Sequence, residues 1–541
     1  MFPAFVRRFW LRASRAGAAA GATALSTLAP LQARWQRLST RHQHWGINIL
    51  IGLCIETLVH IAGHNLHWPA VVAAQDRGLD TMTRLHAWAC EDPSPGGSPL
   101  QRLLHCPDTQ PGRPAPVLLD IDEATWRDPA WDGGEPVRAP RQRLLELAQQ
   151  AFALDASSVV MDVAVEELRS GTPAGEALRA EDQAFAHGLS ALLPHMKPGQ
   201  VLVLVRTVRP PFPAGPAAPW PVLRRSPAVD EVVAASGGRI VLAAPYFRVD
   251  PDRLTRSWVQ ASTVCLMPAS GDGQLAVLPS VQWLLHARAL GLATPAWRQA
   301  SLEASVTAPA ACPDPARQPA TAPAEQASHE AHEAMRRFGE TVLAASPAQA
   351  RPLLAQALPN SHHDLANRVV FRMSPAGGSL LSVPALQWLD QPATQLAAPF
   401  GELVKGRVVI IGQTHSGAAD FFQTPLGEMA GAIVLANAID SMQAFGQLGQ
   451  PSPLVMAAVS LLLIVAVGYV FARWDSVIGT LVATALVVLT AGVASFLLFA
   501  QGVWLDVAAP ILGIQLHRLW ASFEEQQHFR RLKKEHGHAH G

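Results

Sequence analysis

Two long apolar runs near the carboxyl end restrict this chain more than any other feature of its sequence. Residues 454–471 are almost wholly apolar, Arg473 and Asp475 make a brief polar turn, and residues 477–500 are apolar again. Each run approaches the ~20 residues a helix needs to cross the hydrocarbon of a bilayer, so the pair predicts a transmembrane hairpin with a tight connection. A weaker run follows at 503–520, interrupted by Asp506, Pro510 and His517. At the amino end, Arg7, Arg8, Arg12, Arg15, Arg34, Arg37 and Arg41 precede an apolar stretch at 45–63, and no acid occurs before it. A basic flank of this kind holds the amino terminus in the cytoplasm. No small-x-small cleavage site follows, so the stretch reads as an uncleaved anchor and not as a signal peptide. Glu56 and His60 share one helical face of it; the cost of charge in hydrocarbon predicts that this face meets another helix or a dimer partner, unless the span is shifted and His60 reaches the outer interface.

Parity then decides whether 503–520 is counted. With the amino terminus inside and a folded domain outside, a closing span returns Arg518, Arg530, Arg531, Lys533 and Lys534 to the cytoplasm, whereas a hairpin alone would strand them outside. The expected organisation is a cytoplasmic segment 1–44, an anchor 45–63, an extracytoplasmic domain 70–450, spans at 454–471, 477–500 and 503–520, and a cytoplasmic tail 521–541. That is a multi-pass protein of the cytoplasmic (inner) membrane. Of the 541 residues, 49% are hydrophobic and only 16% charged, with a formal net charge of zero. No global field draws nucleic acid, and no nucleic-acid partner is expected.

Export also bears on the cysteines. Cys90 and Cys106 flank a Gly/Pro-rich loop, PSPGGSP (93–99), on the side that the topology makes oxidising. A disulfide between them would stabilise by about 3 kcal/mol on the loop-entropy view. Cys265 and Cys312 are a second candidate pair, and Cys54 belongs to the anchor. Four exported cysteines allow three pairings, among which sequence alone does not choose.

The core of the outer domain begins with VLLDIDE (117–123), an apolar run ending in acids, followed by helical periodicity over 138–153 and a second run, SSVVMDVAVEE (157–167). This is a βαβ pattern, whose crossover is expected to be right-handed. Helix follows at 175–193 and strands at 201–208 and 239–244. Runs at 261–267 and 274–278 flank SGDG as a hairpin, before a helix at 281–290. An Ala/Pro/Gln-rich stretch at 294–325 has little to bury and is expected to leave the domain as an excursion. The core resumes at 368–373, with a short helix around 383–389. The run VVII (408–411) then reads as a strand buried on both faces, ended by Gly412. A polar loop and an apolar helix from 431 follow. The expected fold class is thus α/β, with a parallel or mixed sheet, plus transmembrane helices.

Acids and hydroxyls gather at the carboxyl ends of these strands, the edge where open α/β sheets hold ligands. Asp120, Asp122 and Glu123 end one strand, and Asp162 and Glu166 the next; Thr414, His415, Ser416 and Asp420 follow VVII. Asp120, Asp122, Glu123, Asp162, Thr414 and Asp420 are the candidate ligand-binding residues. Convergent carboxylates also suit Mg²⁺ and phosphoryl transfer, but such acids more commonly cap helices or pair with arginines such as Arg138. DIDEAT (120–125) approaches the D-x-D-x-T motif of haloacid-dehalogenase-like phosphatases, yet its threonine comes one place late, at Thr125, with Ala124 before it. SHEAHE (328–333) has its histidines too close for a zincin helix and reads as a solvated helix face. HGHAH (536–540) reads as a polar tail. Ser416 lacks the G-x-S-x-G setting, and neither a phosphate-cradling loop nor a dinucleotide fingerprint is present. No catalytic residue, metal site or cofactor is expected, so the chain is not expected to be an enzyme.

The segments VLLDIDEATW, RAPRQRLLELAQQA, SSVVMDVAVEE and, above all, GRVVIIGQTHSGAADFFQTPLGEMAGAIVLANAID (406–440) resemble the type 2 family of CHASE domains. These are cyclase- and histidine-kinase-associated sensory extracellular domains. The resemblance covers roughly 75–445 and continues in order through the closing hairpin and WLDVAAP (504–510). It implies a domain outside the cytoplasmic membrane whose following helices lead to an output module, usually a cyclase, a histidine kinase or a diguanylate cyclase. The 521–541 tail is too short for such a module, so the output is expected to be a separate protein. Two functions are compatible with this reading. One is a membrane-bound sensor that binds an unidentified small molecule or envelope component and signals through its helices to a separate cytoplasmic protein, with a homodimer as one arrangement. The other is a non-signalling scaffold in an envelope assembly, bound to envelope protein.

Overall fold

The computed structural model describes residues 38–39, several residues between 42 and 57, and residues 68–91, 114–134, 139–163, 173–206, 208–209, 222–223, 226–266, 274–297, 306–307, 324–351, 354, 367–375, 380–390, 400–418, 420–449, 451–474 and 476–505. The chain divides into two compact units. One comprises residues 80–450 and 499–503; the other comprises 1–79, 451–498 and 504–541.

The larger unit is built on a six-stranded sheet in which every pairing is parallel. Its strands in chain order are β1 Val117–Ile121, β2 Ser158–Asp162, β3 Val201–Val205, β4 Ile240–Ala243, β5 Leu381–Pro384 and β6 Val408–Gln413; in space they run β5-β1-β6-β2-β3-β4. The chain therefore lays β6, its last sheet strand, between its first two. Continuous burial explains why β6 accepts this place: Val408, Val409, Ile410 and Ile411 are all buried, as a central strand covered on both faces requires. Alternate side chains enter two cores. Leu119, Val159, Met161, Val409 and Ile411 enter one, with α3 (Arg141–Ala153) and α4 (Pro173–Leu192). Leu118, Val160, Val203 and Ile410 enter the other, with α6 (Val281–Ala289) and α9 (Gly431–Phe445). This unit also contains the second half of α1 (Pro69–Cys90), from Asp80 on, together with α2 (Glu123–Arg127), α5 (Pro227–Ala235), α7 (Ala324–Ala345) and α8 (Ala385–Leu389).

Several expectations are corrected. The helix expected around 383–389 begins only at Ala385; residues 381–384 form the edge strand β5, with Val383 beside Leu119. Pro384 ends that strand, because proline has no N–H for a ladder. The strand expected at 201–208 stops at Val205, and Val208–Arg209 joins a second, five-stranded sheet with Val222–Leu223, Ala261–Leu266, Gln274–Pro279 and Val306–Thr307. The excursion expected at 294–325 is partly built into the domain. Trp297 is buried against Trp283 and Phe338, and Val306–Thr307 pairs with Gln274 and Leu275; residues 298–305 and 308–323 lie outside the described residues. Between β6 and α9 the loop folds into a hairpin, β7 Phe421–Thr424 and β8 Gly427–Ala430, where only a loop was expected. Thr424 is a turn residue within it, its hydroxyl donating to the Gly427 carbonyl at 2.7 Å.

The smaller unit contains the apolar hairpin. Ser452 caps α10 (Pro453–Arg473), its hydroxyl accepting from the Val455 N–H at 3.4 Å. The second limb comprises α11 (Ser476–Val487), a π-helical turn Val488–Gly492, and α12 (Val493–Phe499). Leu454–Arg473 and Ile478–Phe499, of 20 and 22 residues, are long and apolar enough to cross a membrane, and only 17% and 28% of them are buried. Core helices of a soluble domain would be covered; these present Leu454, Leu462, Leu481 and Leu489 outward. Within this unit the described residues between 42 and 57 are helical, and the Trp45 indole donates to the Val465 carbonyl at 3.2 Å. A Cβ on Gly52 would come within 2.7 Å of Ile464, so glycine permits close approach there. Most of the expected anchor 45–63, including Glu56 and His60, and the closing span beyond Leu505 lie outside the described residues.

Candidate functional site

The parallel register places Pro384, Asp120, Gly412 and Asp162 in one row at the carboxyl end of the sheet. Row neighbours in a parallel ladder point to the same face, so Asp120 and Asp162 flank Gly412 about 10 Å apart on the α9 face. Gly412 is required by packing: a Cβ there would overlap the methyl of Ala432, in the first turn of α9. The amino-terminal end of α9 thus presses against the centre of the acid row, where the positive end of its dipole favours negative charge.

Asp120 is held from both neighbouring strands. Its Oδ1 accepts from the Thr414 hydroxyl at 2.6 Å and its Oδ2 from the Ser382 hydroxyl at 3.3 Å. Burial raises its proton affinity; the Thr414 bond opposes this and the charge of Asp122 adds to it. Asp122 faces elsewhere, as the N-cap of α2, accepting from the Thr125 N–H at 2.8 Å. The acid beside it, Glu123, accepts at 2.9 Å from both the N–H and the hydroxyl of Ser416, and pairs with Arg127. The two Ser416 bonds hold its carboxyl below the usual range. These contacts tie the 413–420 loop to the end of β1, and the Thr414 N–H adds a bond to the Ile121 carbonyl at 3.2 Å. His415, next along, is buried and stacks on Trp126 with ring centroids 4.6 Å apart and planes within 10°. Burial lowers its proton affinity, and the charge of Glu123 opposes that.

Asp162 stands on the other side of Gly412, within the field of Asp420. Burial, reinforced by the negative charge of Asp420, pushes Asp162 up to about 7. Asp420 is exposed as a residue, yet its carboxyl is crowded by Gly431, where any Cβ would overlap it, and burial raises its pKa as well. Among the described residues no cation pairs with Asp420, Asp162 or Asp120, while the Gly431 N–H donates to the Asp420 carbonyl at 2.8 Å. Structure therefore brings Asp120, Thr414, Asp162 and Asp420 around the first turn of α9, leaves Glu123 at the rim, and turns Asp122 into a cap. Among the described residues no three His, Cys, Asp or Glu side chains are arranged to hold a metal ion. Glu166 and Arg138 lie outside the described residues.

Sequence reasoning missed Ser382, because β5 was not recognised, and the Trp126–His415 stack, for which no local pattern exists. The link from Ser416 to Glu123 has a signal only in retrospect, as a hydroxyl two residues after Thr414 in a loop already assigned to this edge.

Among the described residues no two cysteines pair with each other, and Cys54 is free. Cys106 and Cys312 lie outside the described residues.

A parallel-sheet α/β domain continued by two apolar helices defines a membrane protein with a large folded domain beyond the bilayer core. More closely, the chain belongs to the CHASE2 domain family, a family of extracellular sensor domains, whose model matches residues 59–472 and so covers the α/β unit and the first limb of the apolar hairpin. Comparison with curated proteins and with solved structures finds no match.

Proposed function

We propose that this chain is a sensor subunit of the cytoplasmic membrane that binds a small molecule or envelope component over the Asp120–Gly412–Asp162 row and signals to a separate cytoplasmic protein. The observation that carries this reading is the path of α9. Its first turn lies on the acid row, at Gly412 and Asp420, and its carboxyl end at Phe445 is followed, after residues 446–452, by the first apolar helix. A ligand that alters the row must therefore work against the helix that leads to the membrane. Three carboxyls, of which Asp120 alone accepts from hydroxyls, favour a ligand that brings hydrogen-bond donors or positive charge. In this reading the site binds and does not catalyse. Four spans put both termini in the cytoplasm and the α/β domain outside, where a Cys90–Cys106 bridge closes the intervening loop.

Purifying the full-length chain from membranes under mild detergent and identifying its companions tests the function. Recovery of a kinase, a cyclase or a transcriptional regulator is the expected result. Recovery of envelope components alone would replace the sensor by a scaffold. For the bridge, nonreducing peptide mapping should yield a linked Cys90–Cys106 peptide from envelope preparations; either residue recovered as a free thiol contradicts it.

A further inference from the structure

The polar groups buried between α1 and α9 form a second network, away from the acid row. Asp80, on α1, receives a two-pronged pair from Arg256, Nε to Oδ1 and Nη2 to Oδ2, both at 2.9 Å. Arg256 belongs to the strand Thr255–Trp258 and is only 3% exposed. Its remaining donors go to Asp250 at 3.0 Å and to Asp252 at 2.8 and 2.5 Å, so all five guanidinium N–H groups are used. From the same residue the Arg256 carbonyl accepts the Val369 N–H at 2.8 Å, and Arg368 adds an ion pair to Asp250 at 3.7 Å.

Residues 368–373, expected as part of the core, bury Val369, Val370, Phe371 and Met373 but form no strand ladder beyond an isolated bridge of Arg368 with Ser257. Their backbone is bound by side chains of α9 instead. The Val370 N–H donates to Ser441 Oγ at 3.0 Å, and the Arg372 and Met373 N–H groups donate to Asn437 Oδ1 at 2.9 and 2.8 Å. Asn437 Nδ2 returns a bond to the Met373 carbonyl at 3.1 Å, and the Arg372 guanidinium reaches Asp440 at 2.9 Å. Asn367 accepts from Gln260 at 3.0 Å and from Gln447, just past α9, at 2.8 Å. One short segment therefore bonds to the Arg256 strand on one side and to the Asn437–Asp440–Ser441 face of α9 on the other. Buried groups of this kind are costly to leave unpaired, so neither contact gives way independently.

We propose that residues 367–373 and Arg256 act as a coupling strap that ties α1 to α9, so that a shift of α9 at the acid row is carried to α1. This rests on the sensor reading above and extends it to the route. Each helix lies next in sequence to an apolar segment, α1 after the expected anchor and α9 before the first limb of the hairpin, so the strap joins the two ends of the domain that continue toward the membrane. His86, on α1 six residues beyond Asp80, lies within the field of Arg372; burial first, and that charge second, lower its pKa to about 4 and keep it neutral. A neutral ring there places no repelling cation against the strap.

Hydrogen exchange measured by mass spectrometry on the full-length chain in lipid nanodiscs tests the coupling without knowledge of ligand or output. Two variants are used. Arg256→Lys keeps the charge but cannot fill five donor positions, and Ser441→Ala removes the acceptor of the Val370 N–H without touching α1. Ser441→Ala is expected to speed exchange in residues 80–90 by about fivefold, and Arg256→Lys to speed it in residues 431–445 by a similar factor, the equilibrium effect of roughly one lost hydrogen bond. Strands β2 and β3 should stay unchanged in both. Faster exchange confined to the mutated element would overturn the coupling, and so would a uniform rise across the sheet, since both outcomes describe packing alone. Either contrary result leaves the sensor reading to its own test, because the companions of the chain are measured separately. If Arg256→Lys fails to fold, Ser441→Ala alone decides the matter.

Discussion

At the residue scale the carboxyls of the acid row behave differently, and each difference is measurable. Asp162 is raised to about 7 by burial and by Asp420, against an ordinary value near 4 in the unfolded chain. A raised carboxyl stabilises the fold below its unfolded pKa, and that contribution is lost as pH climbs toward the folded value. The cost of Asp162 is therefore absent near pH 4, grows between 4 and 7, and is complete above 7. Asp162→Asn should raise the melting temperature at pH 8, by an amount corresponding to on the order of 2–3 kcal/mol, and leave it nearly unchanged at pH 4. A variant no more stable than the parent at pH 8 would show that Asp162 is not held against its charge. Asp420→Asn keeps the shape of the side chain and removes the charge beside Asp162. It is expected to fold with an unchanged or higher melting temperature and to alter recovery of the cytoplasmic companion. Unaltered recovery with a lowered melting temperature would make Asp420 a structural residue of the loop.

Elements show where sequence was legible and where it was not. β1, β2 and β6 were readable because a strand buried on both faces is a run of apolar, β-branched residues, and the acids that close β1 and β2 mark its carboxyl end. Register was not readable: that Gly412 lies between Asp120 and Asp162 follows from β6 entering the sheet between β1 and β2, which no local pattern reports. Asp122, a candidate ligand-binding residue in the sequence, is instead the N-cap of α2; Asp-x-x-Thr carried that signal, since it places a carboxylate before a helical turn. β5 was not, because an edge strand of four residues containing Ser382 and Pro384 has no sustained pattern. The β7–β8 hairpin was masked by its exposure; its signal was Pro425-Leu426-Gly427, with Gly427 at φ 111 in the region that glycine supplies. Arg256 and Asp80 are 176 residues apart, and no local periodicity reports such a pair. Gly412 offers the test at this scale. Gly412→Ala sets a methyl against Ala432 and should destabilise the domain by about 1–3 kcal/mol, because helix and sheet must separate. Thermal unfolding that is unaffected would mean that α9 does not rest on the row.

At the scale of the whole molecule, composition and parity carried the reading furthest. The α/β domain supplies a ligand-type edge, α9 leads from it, and the apolar hairpin follows. Family membership makes the domain an extracellular sensor domain; the described residues hold two helices able to cross a membrane, and the four-span arrangement with both termini inside is the proposal drawn from the basic flanks. Topology is thus the claim on which transmission to the cytoplasm depends. The most direct measurement is a pair of reporter fusions in intact cells, one after Gly541 and one within residues 308–323, each read with a probe active on a single side of the membrane. Four spans predict opposite sides, with the Gly541 fusion in the cytoplasm and the internal fusion outside. Both fusions on the same side would contradict the arrangement, and the proposed signal from the acid row to a cytoplasmic partner would have no route.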